Sequence, residues 1–203
     1  MSEPFNPLAM DSLADSIVQR LLADVPVPLN DVPKFFGAGL YAIYYTGDFP
    51  AYNVVRDSNL DGAWELPIYV GKAVPAGARR GLAVGAGLKS TALHSRIREH
   101  AASIRAASNL DINDFYVRWL VVEDIWIPLG ESALIRATGP AWNAVLDGFG
   151  NHDPGKGRRK GAIPPWDTVH PGRGWAAKHE PRPEGADEVF CRDVVLYLRE
   201  RHT

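Results

Sequence analysis

Tyr41, Tyr69, Lys72, Arg96, His100, Glu131 and Asn143 are the residues whose types and spacing point to chemistry. Arg96 and His100 stand one helical turn apart in the segment 91–107, where Leu93, Ile97, Ala101 and Ile104 recur at helical spacing and define a buried stripe. Both polar residues border or enter that stripe, whereas Arg98 and Arg105 point away from it. A guanidinium and an imidazole on an apolar margin are costly to bury unless something anionic or hydrogen-bonding meets them. Taken alone, His100 also reads as a core histidine with a partner. Glu131 lies in the first turn of a short helix over 130–137 and shares the inward face of Leu134 and Ile135. The plain alternative there is a carboxylate favoured by a positive helix N-terminus.

Three apolar, aromatic-rich runs are expected to position these groups as strands: 39–47, 66–73 and 115–122. In the first, Tyr41, Ile43 and Tyr45 alternate onto one face, so their hydroxyls stand on a sheet surface that a covering helix can approach. An amphipathic helix over 11–23 precedes the strands and reads as packing only; a helix at about 187–201, built on Val189, Phe190, Val194, Val195 and Leu198, closes the chain. The core 37–145 is interrupted by a polar, turn-rich insertion, 48–65, carrying Tyr52, Arg56, Asn59 and Trp64, which is long for an ordinary connection. A Gly/Ala-rich passage, 74–90, holds Arg79, Arg80 and Lys89 and reads as a mobile basic loop without a P-loop pattern. The irregular extension 146–175 brings Asn151, His152, the basic run Lys156, Arg158, Arg159, Lys160, and then Arg173.

Composition narrows the class. A chain of 203 residues, 46% hydrophobic and 23% charged, fits one domain with extensions. No run approaches a membrane span, the N-terminus shows no secretory signal, and the single Cys191 excludes an intrachain disulfide or a multi-cysteine metal site, which together point to the cytoplasm. A net charge of −2 argues mildly against nonspecific nucleic-acid binding. Its distribution argues the other way: from residue 72 to 105 the only acid is Glu99, against Lys72, Arg79, Arg80, Lys89, Arg96, Arg98 and Arg105, so the middle of the chain could face phosphates. Neither an EF-hand nor an H-E-x-x-H zinc pattern is present.

Gly39-Leu40-Tyr41 and Tyr69-Val70-Gly71, followed by a helix with Arg96-x-x-x-His100, a strand, a helix with Glu131 and then Asn143, resemble the GIY-YIG nuclease superfamily over residues 39–143. Within it, Leu66 to Pro75, the Arg-Ile-Arg-Glu-His helix, Trp142-Asn143 with Asp147 to His152, and His170-Pro171-Gly172-Arg173 look like the type II restriction-endonuclease branch that cuts a GC-rich palindrome of CCGCGG type. The wide separation of the two tyrosine strands departs from the superfamily pattern.

The resemblance implies an α+β fold, a small three-stranded antiparallel sheet sandwiched by helices, spanning the chain as one nuclease domain. It implies hydrolysis of double-stranded DNA by an activated water with one divalent ion, Mg²⁺ or Mn²⁺ in its place. Glu131 would then ligate the ion, Arg96 would neutralise the phosphate, Tyr69 would hold the phosphate or water, and Asn143 would support substrate or Glu131. Tyr41 would accept the water's proton with help from Lys72 or His100; alternatively, His100 is itself the base. Arg79, Arg80, Lys89, Asn151, His152, Lys156, Arg158, Arg159 and Arg173 are the expected DNA contacts, and the insertion 48–65 is expected to touch DNA or a second subunit. A palindromic target implies a homodimer, and a restriction system implies a DNA methyltransferase as functional partner. The alternatives are a repair or mobile-element nuclease with the same core, and a noncatalytic DNA-binding domain.

Overall fold

The structure is a computed structural model that describes residues 9–75, 89–153, 155 and 161–202. Its centre is an antiparallel sheet in the order β1-β4-β2-β3: β1 (Val27–Pro28), β4 (Phe115–Val121), β2 (Gly39–Tyr45) and β3 (Tyr69–Ala73). The sheet has four strands rather than the expected three, because a two-residue strand pairs Val27 with Val117. So short an element leaves no alternation to read in the sequence.

β2 is buried along its whole length and its side chains divide between two cores. Tyr41, Ile43 and Tyr45 face a core completed by α3 (Ala92–Ala106), the insertion and the C-terminal part of the chain; Leu40, Ala42 and Tyr44 face a second core under α1 (Met10–Leu22) and α4 (Ile127–Thr138). Helices therefore cover both faces, as an apolar central strand requires. Gly130 lets α4 approach closely, since a Cβ there would stand 2.4 Å from Leu40 Cδ1 and 2.8 Å from Ile17 Cγ2. Among the described residues no helix is long and apolar enough to cross a membrane.

The insertion is folded rather than a loop. Residues 50–52 form a 3-10 turn, α2 (Asn53–Asp57) follows, and Tyr52 and Val55 are wholly buried in the core of the Tyr41 face. Asn59, also buried, donates Nδ2 to Tyr45 O (3.0 Å) and Leu66 O (2.9 Å) and accepts from Leu66 N (3.1 Å). One side chain thus ties the end of β2 to the approach to β3, which is what makes a long insertion compatible with a tight strand pair. The short α5 (Ala141–Ala144) and α6 (Pro165–Val169) carry Trp142 and Trp166 into the same core, and α7 (Ala186–His202) packs Val194 and Leu198 on them. The extension expected only to contact DNA is accordingly also a wall of the core.

Candidate active site

The register of β2 sets the first constraint. Tyr41 lies opposite Gly71 on β3 and Trp119 on β4. A Cβ at position 71 would stand 2.3 Å from the Tyr41 hydroxyl, so the phenol lies across its cross-strand neighbour and only glycine leaves room for it. The glycine of the second tripeptide is therefore a seat for the tyrosine of the first.

From above, α3 lowers His100 onto that hydroxyl: Tyr41 Oη and His100 Nε2 are 2.5 Å apart, and both residues are buried, 0% and 2% exposed. Burial pushes the Tyr41 pKa well up, with Tyr69 adding to it and Arg96 opposing. Burial, then the charges of Arg96, His152 and Arg173, hold the His100 pKa well down. At neutral pH the pair is thus an uncharged phenol against an uncharged imidazole. Phe149 closes over it, stacked on His100 with ring centroids 4.4 Å apart and meeting the Tyr69 ring edge-on at 4.9 Å.

Arg96, one turn before His100, reaches the same place. Its Nη2 donates to Gly150 O at 2.7 Å, and its Nη1 donates to Glu99 Oε2 at 3.1 Å and to His152 Nε2. Positive charge from Arg96 lowers the Tyr69 pKa, but burial wins and raises it. Gly150 sits so close to this cluster that a Cβ would stand 2.8 Å from Tyr69 Oη and 3.3 Å from Arg96 Nη2.

Glu131 enters from the opposite face of the sheet at the β3 edge. Because α4 begins at Ile127, Glu131 lies beyond the first turn rather than in it, so the helix N-terminus is a poor reason for its presence. Lys72 Nζ meets Glu131 Oε2 at 2.6 Å, with the two side chains 40% and 20% exposed, and the Glu131 charge is felt at Tyr69 across the edge. A carboxylate already matched to a cation here suits a hard divalent ion. Among the described residues no three His, Cys, Asp or Glu side chains group to hold a metal, so such an ion would keep most of its ligands as water or substrate oxygen.

The Asn143 amide is engaged with β3. Its Oδ1 accepts from Val70 N and its Nδ2 donates to Val70 O, both at 2.8 Å, which fixes the strand between Tyr69 and Gly71. Arg173, expected among the DNA contacts, is 5% exposed and spent on protein groups. Asn151, His152 and Lys89 are exposed; Arg79, Arg80, Lys156, Arg158 and Arg159 lie outside the described residues. Beside Arg96, a cleft of about 340 Å³ is lined by Asn151, His152, Gly161, Ala162, Pro164, Trp175 and His179.

Sequence reasoning missed Phe149, which roofs His100, and the paired Tyr52 and His170, 2.5 Å apart through Oη and Nε2. An isolated aromatic residue in a Gly-rich stretch carries no periodic signal, and a tyrosine and a histidine 118 positions apart carry none either.

The assembled groups can bind an anion at Arg96 and Lys72, hold a cation at Glu131, and pass a proton between Tyr41 and His100. A model of the Eco29kI GIY-YIG domain, which describes a family of restriction endonucleases, matches residues 33–197. No curated protein matches the chain. Since that match runs from before β2 to within α7, the chain belongs to the GIY-YIG restriction-endonuclease family represented by Eco29kI, and is a nuclease of DNA.

Proposed function

We propose that the protein is a type II restriction endonuclease that cuts double-stranded DNA at a GC-rich palindrome of CCGCGG type, as a homodimer, with one Mg²⁺ or Mn²⁺ per site. It would act in the cytoplasm, alongside a methyltransferase that protects the same sequence. The observation that carries the reading is the 2.5 Å contact between the Tyr41 hydroxyl and His100 Nε2, directly behind the guanidinium of Arg96 and the ring of Tyr69.

The scissile phosphate displaces Arg96 from Gly150 O and His152, and the guanidinium then lies where negative charge grows on the phosphoryl oxygens. Tyr69, on the exposed side of Tyr41, donates to the phosphate or aligns the water. A phenol whose pKa is raised is a poor base alone, so Tyr41 acts as a relay: it takes the proton of the attacking water while giving its own to His100 Nε2. A neutral His100 is what this requires, and the burial and nearby cations that depress its pKa supply it. Between Tyr41 as unaided base and His100 as direct base, the geometry favours the two in series, because the hydroxyl stands between the imidazole and the Arg96 side of the site. Glu131 would hold the divalent ion, which supplies Lewis-acid stabilisation of the phosphate. Lys72 keeps the Glu131 carboxylate oriented.

Asn143 and Arg173 act through backbone. The exposed Asn151, His152 and Lys89, with the basic residues around 79–80 and 156–159, are the contacts proposed for DNA. Incubation of plasmid with protein and Mg²⁺ tests the reading: discrete fragments whose sequenced ends share one palindrome support it. Nicking without a shared site would indicate repair or mobile-element biology, and binding without cutting a noncatalytic domain. Glu131→Gln should abolish cutting and retain DNA binding; full activity in that variant would remove the carboxylate from the metal role.

A further inference from the structure

The segment that roofs the site is gripped from below by a buried cation. Arg173 Nε donates to Asp167 Oδ1 at 2.6 Å and Nη2 to Oδ2 at 2.5 Å. Nη2 also donates to Gly148 O at 2.8 Å, and Nη1 to Phe149 O at 3.0 Å and Asn151 O at 3.3 Å. A guanidinium has five N–H groups, and here every one has an acceptor. Its faces are covered too, by Trp166 at 4.6 Å and Trp175 at 4.8 Å from the ring centroids. No donor remains for a phosphate or a base edge.

The three carbonyls so held, of Gly148, Phe149 and Asn151, belong to or adjoin the residues that complete the active site. Phe149 stacks on His100, Gly150 O takes Arg96 Nη2, and His152 takes Arg96 Nη1. Phe149 meets the sheet through ring contact with Tyr69 and Gly150 has no side chain, so the hydrogen bonds that fix this backbone are those made to its carbonyls. We propose that Arg173, with Asp167, is a positioning residue of the active site: it fixes Phe149 against His100 and Gly150 against Arg96, and does not touch DNA. The kinetic consequence rests on the nuclease reading; the structural one does not.

The groups facing His100 are Tyr41 and Tyr69 from the strands, Arg96 from its own helix, His152 from the covering segment and Arg173 beneath that segment. Loosening that cover admits water to the imidazole and removes positive charge from it, and both changes make protonation easier. A residue that merely stabilised the fold would lower the amount of folded protein and leave the titration of His100 in the folded fraction unchanged.

The test uses two variants of the full chain. Arg173→Lys keeps the charge but loses the fork; the double variant Arg173→Met with Asp167→Leu replaces the buried ion pair by apolar side chains, a change that folded proteins tolerate far better than removal of one partner. Thermal melts establish that each is folded. The His100 ring signals are then followed against pH by NMR in the DNA-free protein, and single-turnover cleavage is measured at saturating DNA with Mg²⁺. The expected result is a His100 pKa raised above wild type, a changed ring-current shift from Phe149, and a cleavage rate lowered about 10- to 100-fold with the Kd for DNA unchanged. Wild-type titration and rate in a folded variant would overturn the proposal. So would a weakened Kd with an unchanged rate at saturation, which would make Arg173 a DNA contact after all. If the wild-type protein cuts nothing, the nuclease reading fails, while the His100 titration still decides the role of Arg173.

Discussion

The core under α3 contains two tyrosine–histidine pairs of the same length, and only one is built to react. In both, a phenol oxygen meets Nε2 at 2.5 Å inside a cluster of aromatic rings. In Tyr52–His170, however, the far ring nitrogen is also bound: His170 Nδ1 donates to Asn109 Oδ1 at 2.9 Å, while Asn109 Nδ2 donates to Val169 O at 2.9 Å. The amide is oriented by that carbonyl, so the proton sits on Nδ1 and the Tyr52 hydroxyl must donate to Nε2. Among the described residues no charged group is felt at this imidazole, and burial lowers its pKa to about 3. Its counterpart His100 has, among the described residues, a hydrogen bond only to Tyr41, and it is ringed by Arg96, His152 and Arg173. One pair is locked at both ends; the other is held at one end and stands beside Arg96, a cation that can bind a phosphate. The same two side chains serve packing or proton transfer according to what meets the second nitrogen and the outer side of the phenol.

That contrast can be broken by exchange of its terms. The largest effect is expected at the open pair: Tyr41→Phe or His100→Ala should reduce single-turnover cleavage per folded molecule by about 10²- to 10⁴-fold, with DNA binding near wild type. Next comes acid. Because the unfolded chain takes up the His170 proton near pH 6.5 and the folded one only near 3, stability is complete above about pH 6.5 and is lost as pH falls through that window, by on the order of 4–5 kcal/mol. His100 contributes in the same direction. Urea midpoints measured from pH 7 to 4 should show the slope, and His170→Leu should flatten it.

His170→Ala should cost about 2–4 kcal/mol through the cavity and the abandoned Tyr52 and Asn109 groups, read as a fall in urea midpoint, while the cleavage rate per folded molecule stays at wild type. A rate loss there as large as at His100 would erase the distinction. The smallest effect is expected for Tyr52→Phe, about 1–2 kcal/mol of stability for one unmatched ring nitrogen, again without a change in the chemical step.

The open pair was legible in the sequence and the locked one was not. Tyr41, Tyr69, Arg96 and His100 lie in elements whose alternation or helical spacing states which way each side chain points, so their meeting needed only a topology. The roles of Asn143 and Arg173 escaped because both act on backbone far away in sequence, at Val70 and at residues 148–151. A side chain that binds main-chain groups leaves no partner to recognise by residue type. The insertion misled for a related reason: α2 is five residues long, too short to show a period, and its order comes from burying Tyr52 and Val55 beneath α7.

Asn143 has one further effect on how copies of this protein can meet. β3 is the outermost strand, and its outward N–H and C=O at Val70 are taken by the Asn143 amide, while the carbonyl of Ile68 is taken by Trp142 N at 3.0 Å. Where the outward groups of a rim are already satisfied, as at Val70, it is a poor template for strand addition. A second molecule adding a strand at this point would have to displace the Asn143 amide, and a substitution such as Asn143→Ala would turn a finished border into an adhesive one.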